Sequence, residues 1–163
     1  GMPMEPVTYK PIGRIETPYS SREGMPIQAS GGEGIRGRIT LFPEYAPGLQ
    51  DLAGFSHLIL LYHFHLTRET RLVVTPFLDT TPRGVFATRS PNHPNSIGLS
   101  TVRLIDIQET VLEIEDVDIM NGTPLLDIKP YVPAFDHRQP ERLGWLEKAG
   151  AAVRQTRADT RFK

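Results

Sequence analysis

The stretch STVRLIDIQETVLEIED, residues 100–116, decides the fold. It holds two runs rich in β-branched and large apolar residues, the composition of strands. IQETVLEIED reads as a hairpin turning near Glu109 and Thr110. Outward from it, residues 7–15, 35–41, 56–64, 72–75 and 84–87 are strand-like in the same way, with 100–108 and 111–120 forming the hairpin itself. The 15 prolines and 14 glycines are scattered through the chain, a pattern of many short elements joined by tight turns. The expected fold class is all-β, mainly β: a single compact β-barrel over residues 1–163, with its core in 7–133, a few short helices and a C-terminal helix. One short helix is expected around PEYAPGLQDL. The other is the tail 139–163, where Leu143, Leu146, Ala149 and Val153 recur at helical spacing and Pro140 suits a first turn.

A chain of 163 residues suits one domain, which at that size buries roughly 70% of the surface its unfolded form exposes. With 39% hydrophobic and 23% charged residues the composition is that of a globular protein. No apolar run approaches the roughly 20 residues that span a bilayer, so no membrane role is expected. The start GMPMEPV has no basic region followed by an apolar one, and its Gly1 resembles a tag remnant, so the expected location is cytoplasmic. The absence of cysteine removes disulfides, thiolate metal sites, iron–sulfur clusters and cysteine nucleophiles together. A formal net charge of −1 leaves any nucleic-acid contact to a local patch.

Two motifs are weighed against plainer readings. GEGIRG places Gly32, Gly34 and Gly37 at dinucleotide-fingerprint spacing. The glycines lead into the strand-like IRGRITLF, though, and a pyrophosphate site needs a helix N-terminus there, so the motif reads as a loop feeding a strand. HLILLYHFH puts His57, His63 and His65 on one side of a strand with Ile59 and Leu61. Such a cluster either binds a metal with a carboxylate such as Asp79 or Asp136, or consists of satisfied polar groups at a barrel rim, and no metal ligand set is assigned.

ATRSPNHPNSIGLS, residues 87–100, joins a fixed positive charge, two stiffening prolines, two Asn amides and a glycine. Arg89 can grip a carboxylate or phosphate with two parallel hydrogen bonds. Asn92 and Asn95 offer donors and acceptors. A structural corner has little use for that arginine, so a binding loop is the expectation. NGTPLLDIKPYVP, residues 121–133, opens on a turn signal, and Asp127, Lys129 and Tyr131 would share one face of an extended strand, either as an edge ion pair or as the rim of a site.

These two segments resemble the TsaA-like (YaeB-like) family, as do FSHLILLYHFHLT and IGRIETPY upstream, over roughly residues 12–133. The family's characterised members are S-adenosylmethionine-dependent tRNA methyltransferases. The resemblance implies a small β-barrel binding S-adenosylmethionine at a homodimer interface, with Pro26, Ile27, Gln28, Phe64, His65, Arg89, Leu99, Asn121, Gly122, Thr123 and Pro124 around the cofactor. It implies tRNA as partner and methyl transfer to N6 of a threonylcarbamoyl-modified adenosine beside the anticodon. Arg89 would bind the methionine carboxylate. Among candidate catalytic residues, Asp127 would accept the proton, Tyr131 would assist by hydrogen bonding, and Lys129 would do likewise or serve a substrate carboxylate or phosphate. His93 stands where the family usually has Arg, Ser96 where it usually has the last Pro of a Pro-Asn-Pro run, and Asn121 where it usually has Asp. The chain is also shorter than the tRNA-modifying members. Methylation of a small molecule, or binding of S-adenosylmethionine or a metal without turnover, therefore stay as alternatives. For the tRNA reading, phosphate contacts would come from Arg36, Arg38, Arg68, Arg71, Arg83, Arg154, Arg157 and Arg161.

Overall fold

The computed structural model describes residues 2–20, 32–77 and 79–148. Its strands are β1 Gly13–Glu16, β2 Arg36–Leu41, β3 His57–His63, β4 Val73–Val74, β5 Arg83–Gly84, β6 Ile97–Gln108, β7 Val111–Glu115 and β8 Thr123–Pro130. Six of them close a barrel in the order β1-β2-β7-β6-β3-β8, with β8 returning to β1 and every pair antiparallel. β4 and β5 form a separate two-stranded ribbon. Closure gives each barrel strand two neighbours and so removes the open edges along which sheets aggregate.

The period of two sorts the side chains. On β3, Leu58, Leu60 and Tyr62 are buried while His57, Ile59, Leu61 and His63 face outward. On β6, Gly98, Ser100 and Val102 point in, and Ile97, Leu99, Thr101 and Arg103 point out. The inward set meets Ile15, Ile39, Leu112, Ile114, Val117 and Leu125 in one apolar core. That burial is the main stabilising term of the barrel. A polar chain crosses the core: the Tyr62 hydroxyl lies 2.8 Å from Ser100 Oγ, which donates to Asp118 Oδ1 at 2.9 Å. Asp118 is 3% exposed, and a polar group buried to that degree needs hydrogen-bonding partners. Tyr19 is pushed up from its usual value by burial and then by the Asp118 charge. The fold therefore keeps this phenol neutral. Its contribution to stability is present below about pH 10 and is lost as pH rises through the raised value.

The hairpin forms where expected, with Glu109 at φ 56° in its turn. Other boundaries differ. The strand expected over residues 7–15 begins only at Gly13; Pro6 and Pro11 deprive the segment before it of two backbone donors. The strand expected over 111–120 stops at Glu115, because Asp116 turns to φ 69° and its carboxylate accepts the Gly34 N–H at 2.7 Å. Of residues 84–87, Arg83–Gly84 is strand and Val85–Ala87 is a 3-10 turn. The helix expected in PEYAPGLQDL is two 3-10 segments, Pro43–Leu49 and Leu52–Gly54, the first containing Pro47, which an α-helix interior does not accommodate. In the tail, the 3-10 helix Gly144–Lys148 replaces the expected start at Pro140, and a single-turn α1 occupies Pro133–Asp136. The rest of the expected tail helix, from residue 149, lies outside the described residues. Gly32 and Gly34 sit at positive φ in a turn that runs into β2, the geometry of a loop feeding a strand.

Candidate active site

The proline-rich corner is a scaffold built around one exposed cation. Thr88 Oγ1 donates to the Val85 carbonyl at 2.8 Å and accepts the Ser90 N–H at 3.2 Å. Ser90 Oγ donates to Asn92 Oδ1 at 3.0 Å. The Asn92 side-chain amide donates to the Glu69 carbonyl at 2.9 Å, and the Asn92 main-chain carbonyl accepts the Arg71 N–H at 2.9 Å. Asn92 is 6% exposed, so it staples the corner to residues 69–71 and offers nothing to a ligand. Asn95 is exposed. His93 Nε2 lies 3.1 Å from the Thr88 carbonyl, closing the corner across five residues. Arg89 is exposed and makes no hydrogen bond or ion pair among the described residues.

The same contacts bring three expected pieces together. The Phe64 N–H donates to the Ser96 carbonyl at 2.9 Å, which fixes the end of β3 against the corner. The Phe64 ring stands edge-on to Tyr62 at 5.5 Å. His65 Nδ1 lies 3.5 Å from Thr123 Oγ1, which itself donates to the Met120 carbonyl at 2.7 Å. Burial, and then the nearby His63, hold the His65 imidazole below its usual value. The turn at residues 121–124 is fixed by three bonds to β1 and to the segment that follows it. Asn121 Oδ1 accepts the Thr17 N–H at 3.1 Å, the Asn121 N–H donates to the Tyr19 carbonyl at 2.7 Å, and the Gly122 N–H donates to the Ile15 carbonyl at 2.8 Å. Gly122, at φ 83°, takes a conformation that side chains resist. Asparagine therefore supplies the acceptor this turn uses. Beside the turn runs a groove of about 800 Å³. Pro94, Asn95, Ser96 and Pro124 line one part of it, and Val7 and Tyr9 of the N-terminal arm another. That volume is in the range of small-molecule pockets.

Other expected residues do not join this cluster within one chain. Leu99, Leu61 and Asp127 lie in one row across the outer face of β6, β3 and β8, which puts Asp127 about 10 Å from Leu99. Asp127 Oδ2 pairs with Lys129 Nζ at 2.9 Å, and its Oδ1 accepts the Ile128 N–H at 2.9 Å. That pairing, by hydrogen bond and then by charge, raises Lys129 above its usual value. Tyr131 donates its N–H to the His57 carbonyl at 3.0 Å, at the far end of β3, roughly 23 Å along β8 from Pro124. Pro26, Ile27 and Gln28 lie outside the described residues. His57 and His63 sit six positions apart on one strand, about 20 Å, and His65 lies past its end, so the three imidazoles do not converge. Among the described residues no three His, Cys, Asp or Glu are grouped to hold a metal. Arg36 and Arg38 are occupied by Glu115 and Glu113 at 2.7 and 2.9 Å on the barrel wall opposite β3 and β8. Arg154, Arg157 and Arg161 lie outside the described residues. Sequence reasoning missed Asp118 and Ser100, because only barrel closure sets them against Tyr62.

Residues 14–137 match the tRNA-methyltransferase O N-terminal domain. The chain belongs to that family. A probable S-adenosyl-L-methionine-binding protein of Pyrococcus abyssi is 49% identical over 96% of this chain and 85% of its own. The tRNA (adenine(37)-N6)-methyltransferase of Escherichia coli is 34% identical over 91% of this chain and 68% of its own. For the human protein of that name the match is 36% identical and covers 31% of its length. The crystal structure of TrmO from Pseudomonas aeruginosa superposes with a TM-score of 0.71 at 34% identity, covering 86% of this chain and 63% of that one. The family barrel is thus present in this chain, while the longer members extend well beyond the part it matches. No helix among the described residues is long and apolar enough to cross a membrane.

Proposed function

We propose that the protein is an S-adenosylmethionine-dependent methyltransferase acting on N6 of a threonylcarbamoyl-modified adenosine beside the anticodon of tRNA. The observation that carries this reading is the convergence of the stapled corner, Phe64 and His65, and the turn at 121–124, in a chain whose relatives are named for cofactor binding and for this methylation. In the transfer, the adenine nitrogen forms a bond to the cofactor's methyl carbon as the carbon–sulfur bond breaks and S-adenosylhomocysteine leaves. The proton on that nitrogen goes to a base. A sulfonium methyl is already activated, so alignment and exclusion of water are the main demands on the protein. Arg89 is assigned to the methionine carboxylate, and the backbone around Asn121 to Pro124 to the cofactor body. Asp127 is assigned as proton acceptor, which requires Lys129 to release it, and Tyr131 as a hydrogen-bonding partner of the substrate.

Since Lys129 and Tyr131 lie far from the corner on one chain, a site using both sets calls for two copies. The outer face of β3 and β6 supports a homodimer, with Ile97 at 49% and Leu99 at 43% exposure beside half-buried Ile59 and Leu61. Ile59→Lys is expected to give a monomer by sedimentation at a concentration where the unchanged protein is dimeric, because a buried ammonium is costly. An unchanged sedimentation coefficient would reject this face as the interface.

Cofactor binding should also depend on pH. The sulfonium is cationic, and a protonated His65 beside it would add a like charge. Because the folded value of His65 lies below 6.5, affinity is expected to be level above pH 6.5 and to weaken as pH falls through the lowered value. The fold's own stability follows the same sign, present above pH 6.5 and lost on acidification. A profile that persists in His65→Gln would exclude this cause. The test of the whole reading is transfer of labelled methyl from S-adenosylmethionine to tRNA by the purified protein. Methyl transfer to a small molecule, or binding without turnover, is the reading left if the cofactor binds and RNA stays unlabelled. The length-matched relatives named only for binding favour keeping that second reading.

A further inference from the structure

Phe86 is 76% exposed, yet the backbone on both sides of it is hydrogen-bonded. It sits at the centre of the 3-10 turn Val85–Ala87. Val85 before it is 1% exposed and donates its N–H to the Leu72 carbonyl at 2.9 Å. The carbonyl of Ala87 after it accepts the Trp145 indole N–H at 2.8 Å. That indole is covered by the Arg83 guanidinium 5.4 Å from its ring centre, and Arg83 pairs with Asp79 at 2.9 Å. The Thr88 N–H and hydroxyl then tie back to Val85 at 3.0 and 2.8 Å. One side of the Phe86 ring meets the His93 imidazole, with centroids 5.8 Å apart. A single exposed phenylalanine is ordinary. One held at the backbone on both sides, beside a second planar ring and three residues before an exposed arginine, is a preformed platform.

The charge around it selects the partner. Residues 64–97 carry four arginines against two carboxylates, in a chain whose net charge is −1. Arg68 and Arg89 are exposed and unpaired among the described residues. Residues 69–71 are pinned to the corner through Asn92, which keeps Arg68 next to this surface. Local positive charge with an exposed aromatic ring matches nucleic acid, whose phosphates take the cations and whose unstacked bases take the ring.

We propose that Phe86, backed by His93, stacks on a nucleobase of the substrate RNA next to the target adenosine, with Arg68 beside it on the phosphate side of that strand and Arg89 left to the cofactor carboxylate. This rests on the tRNA reading given above. Trp145, outside the residues matched to the family, is one of the groups that hold the platform in place, with Leu72 and Thr88. The experiment measures binding of a purified tRNA and of its anticodon stem-loop at fixed salt to the full chain and to Phe86→Ala, Phe86→Leu and Phe86→Trp. Calorimetry with S-adenosylmethionine, thermal melting and sedimentation are run on each variant. Phe86→Ala is expected to weaken RNA binding about 10-fold, in line with the loss of one stacked base. Phe86→Trp should restore it and Phe86→Leu should not, while cofactor affinity, melting temperature and oligomeric state stay unchanged. RNA binding indifferent to Phe86→Ala, or equally good with leucine, overturns the proposal. So does a loss of cofactor binding or of the dimer on substitution, which would give the ring to the cofactor or to a second copy. An unchanged chain that binds cofactor but neither RNA overturns the tRNA reading itself, a result separate from any effect of Phe86.

Discussion

Arg89→Ala is expected to weaken S-adenosylmethionine binding by about 10- to 100-fold while leaving the melting temperature unchanged. A hydrogen bond to a charged group contributes about 1.5–3 kcal/mol, and each 1.4 kcal/mol is about a factor of ten in affinity. The fold loses nothing, because Arg89 is exposed and makes no bond among the described residues; the corner is held instead by Thr88, Ser90 and Asn92. Arg89→Lys should recover only part of the loss, since an ammonium cannot supply the paired donors of a guanidinium. Calorimetry with both variants checks this. Equal affinity in the alanine variant would remove Arg89 from the cofactor site.

Gly98→Ala is expected to destabilise the barrel strongly. Gly98 lies directly opposite Tyr62 in the β3–β6 register, and a Cβ there would overlap the Tyr62 ring. The ring cannot swing away cheaply. It is 1% exposed, and its hydroxyl is engaged with Ser100 and through it with Asp118. Overpacking of this kind costs about 2–3 kcal/mol, or about 4–12 °C in melting temperature for a domain of this size. The decisive comparison is with Tyr62→Ala, which removes the obstacle. Gly98→Ala should cost far less in that background, and an equal cost in both would show that the two residues do not interact.

Much of the fold was legible in local pattern. The hairpin of residues 100–116 and the outward set His57, Ile59, Leu61 and His63 follow from a period of two alone. Strand ends were not legible: β7 stops where the Asp116 carboxylate reaches Gly34, 82 residues away in sequence, and propensity carries no trace of such a contact. The tail went the same way. Its helical spacing was real, but the described part is a short 3-10 segment whose Trp145 serves residues 83–87.

The site divides along the same line. The order of residues shows which groups are available: an arginine in a rigid corner, a Gly-containing turn, a carboxylate and an ammonium two positions apart, and no thiol. Tertiary structure decided their use. Barrel closure set Thr123 against His65 and placed Asp127 and Lys129 on the outer wall as each other's partner; packing within the excursion between β3 and β6 turned Asn92 into a staple and left Arg89 and Phe86 exposed. The physical reason is that side-chain alternation fixes which face a residue occupies, whereas the partner it meets depends on register between strands remote in sequence, which the whole core sets together.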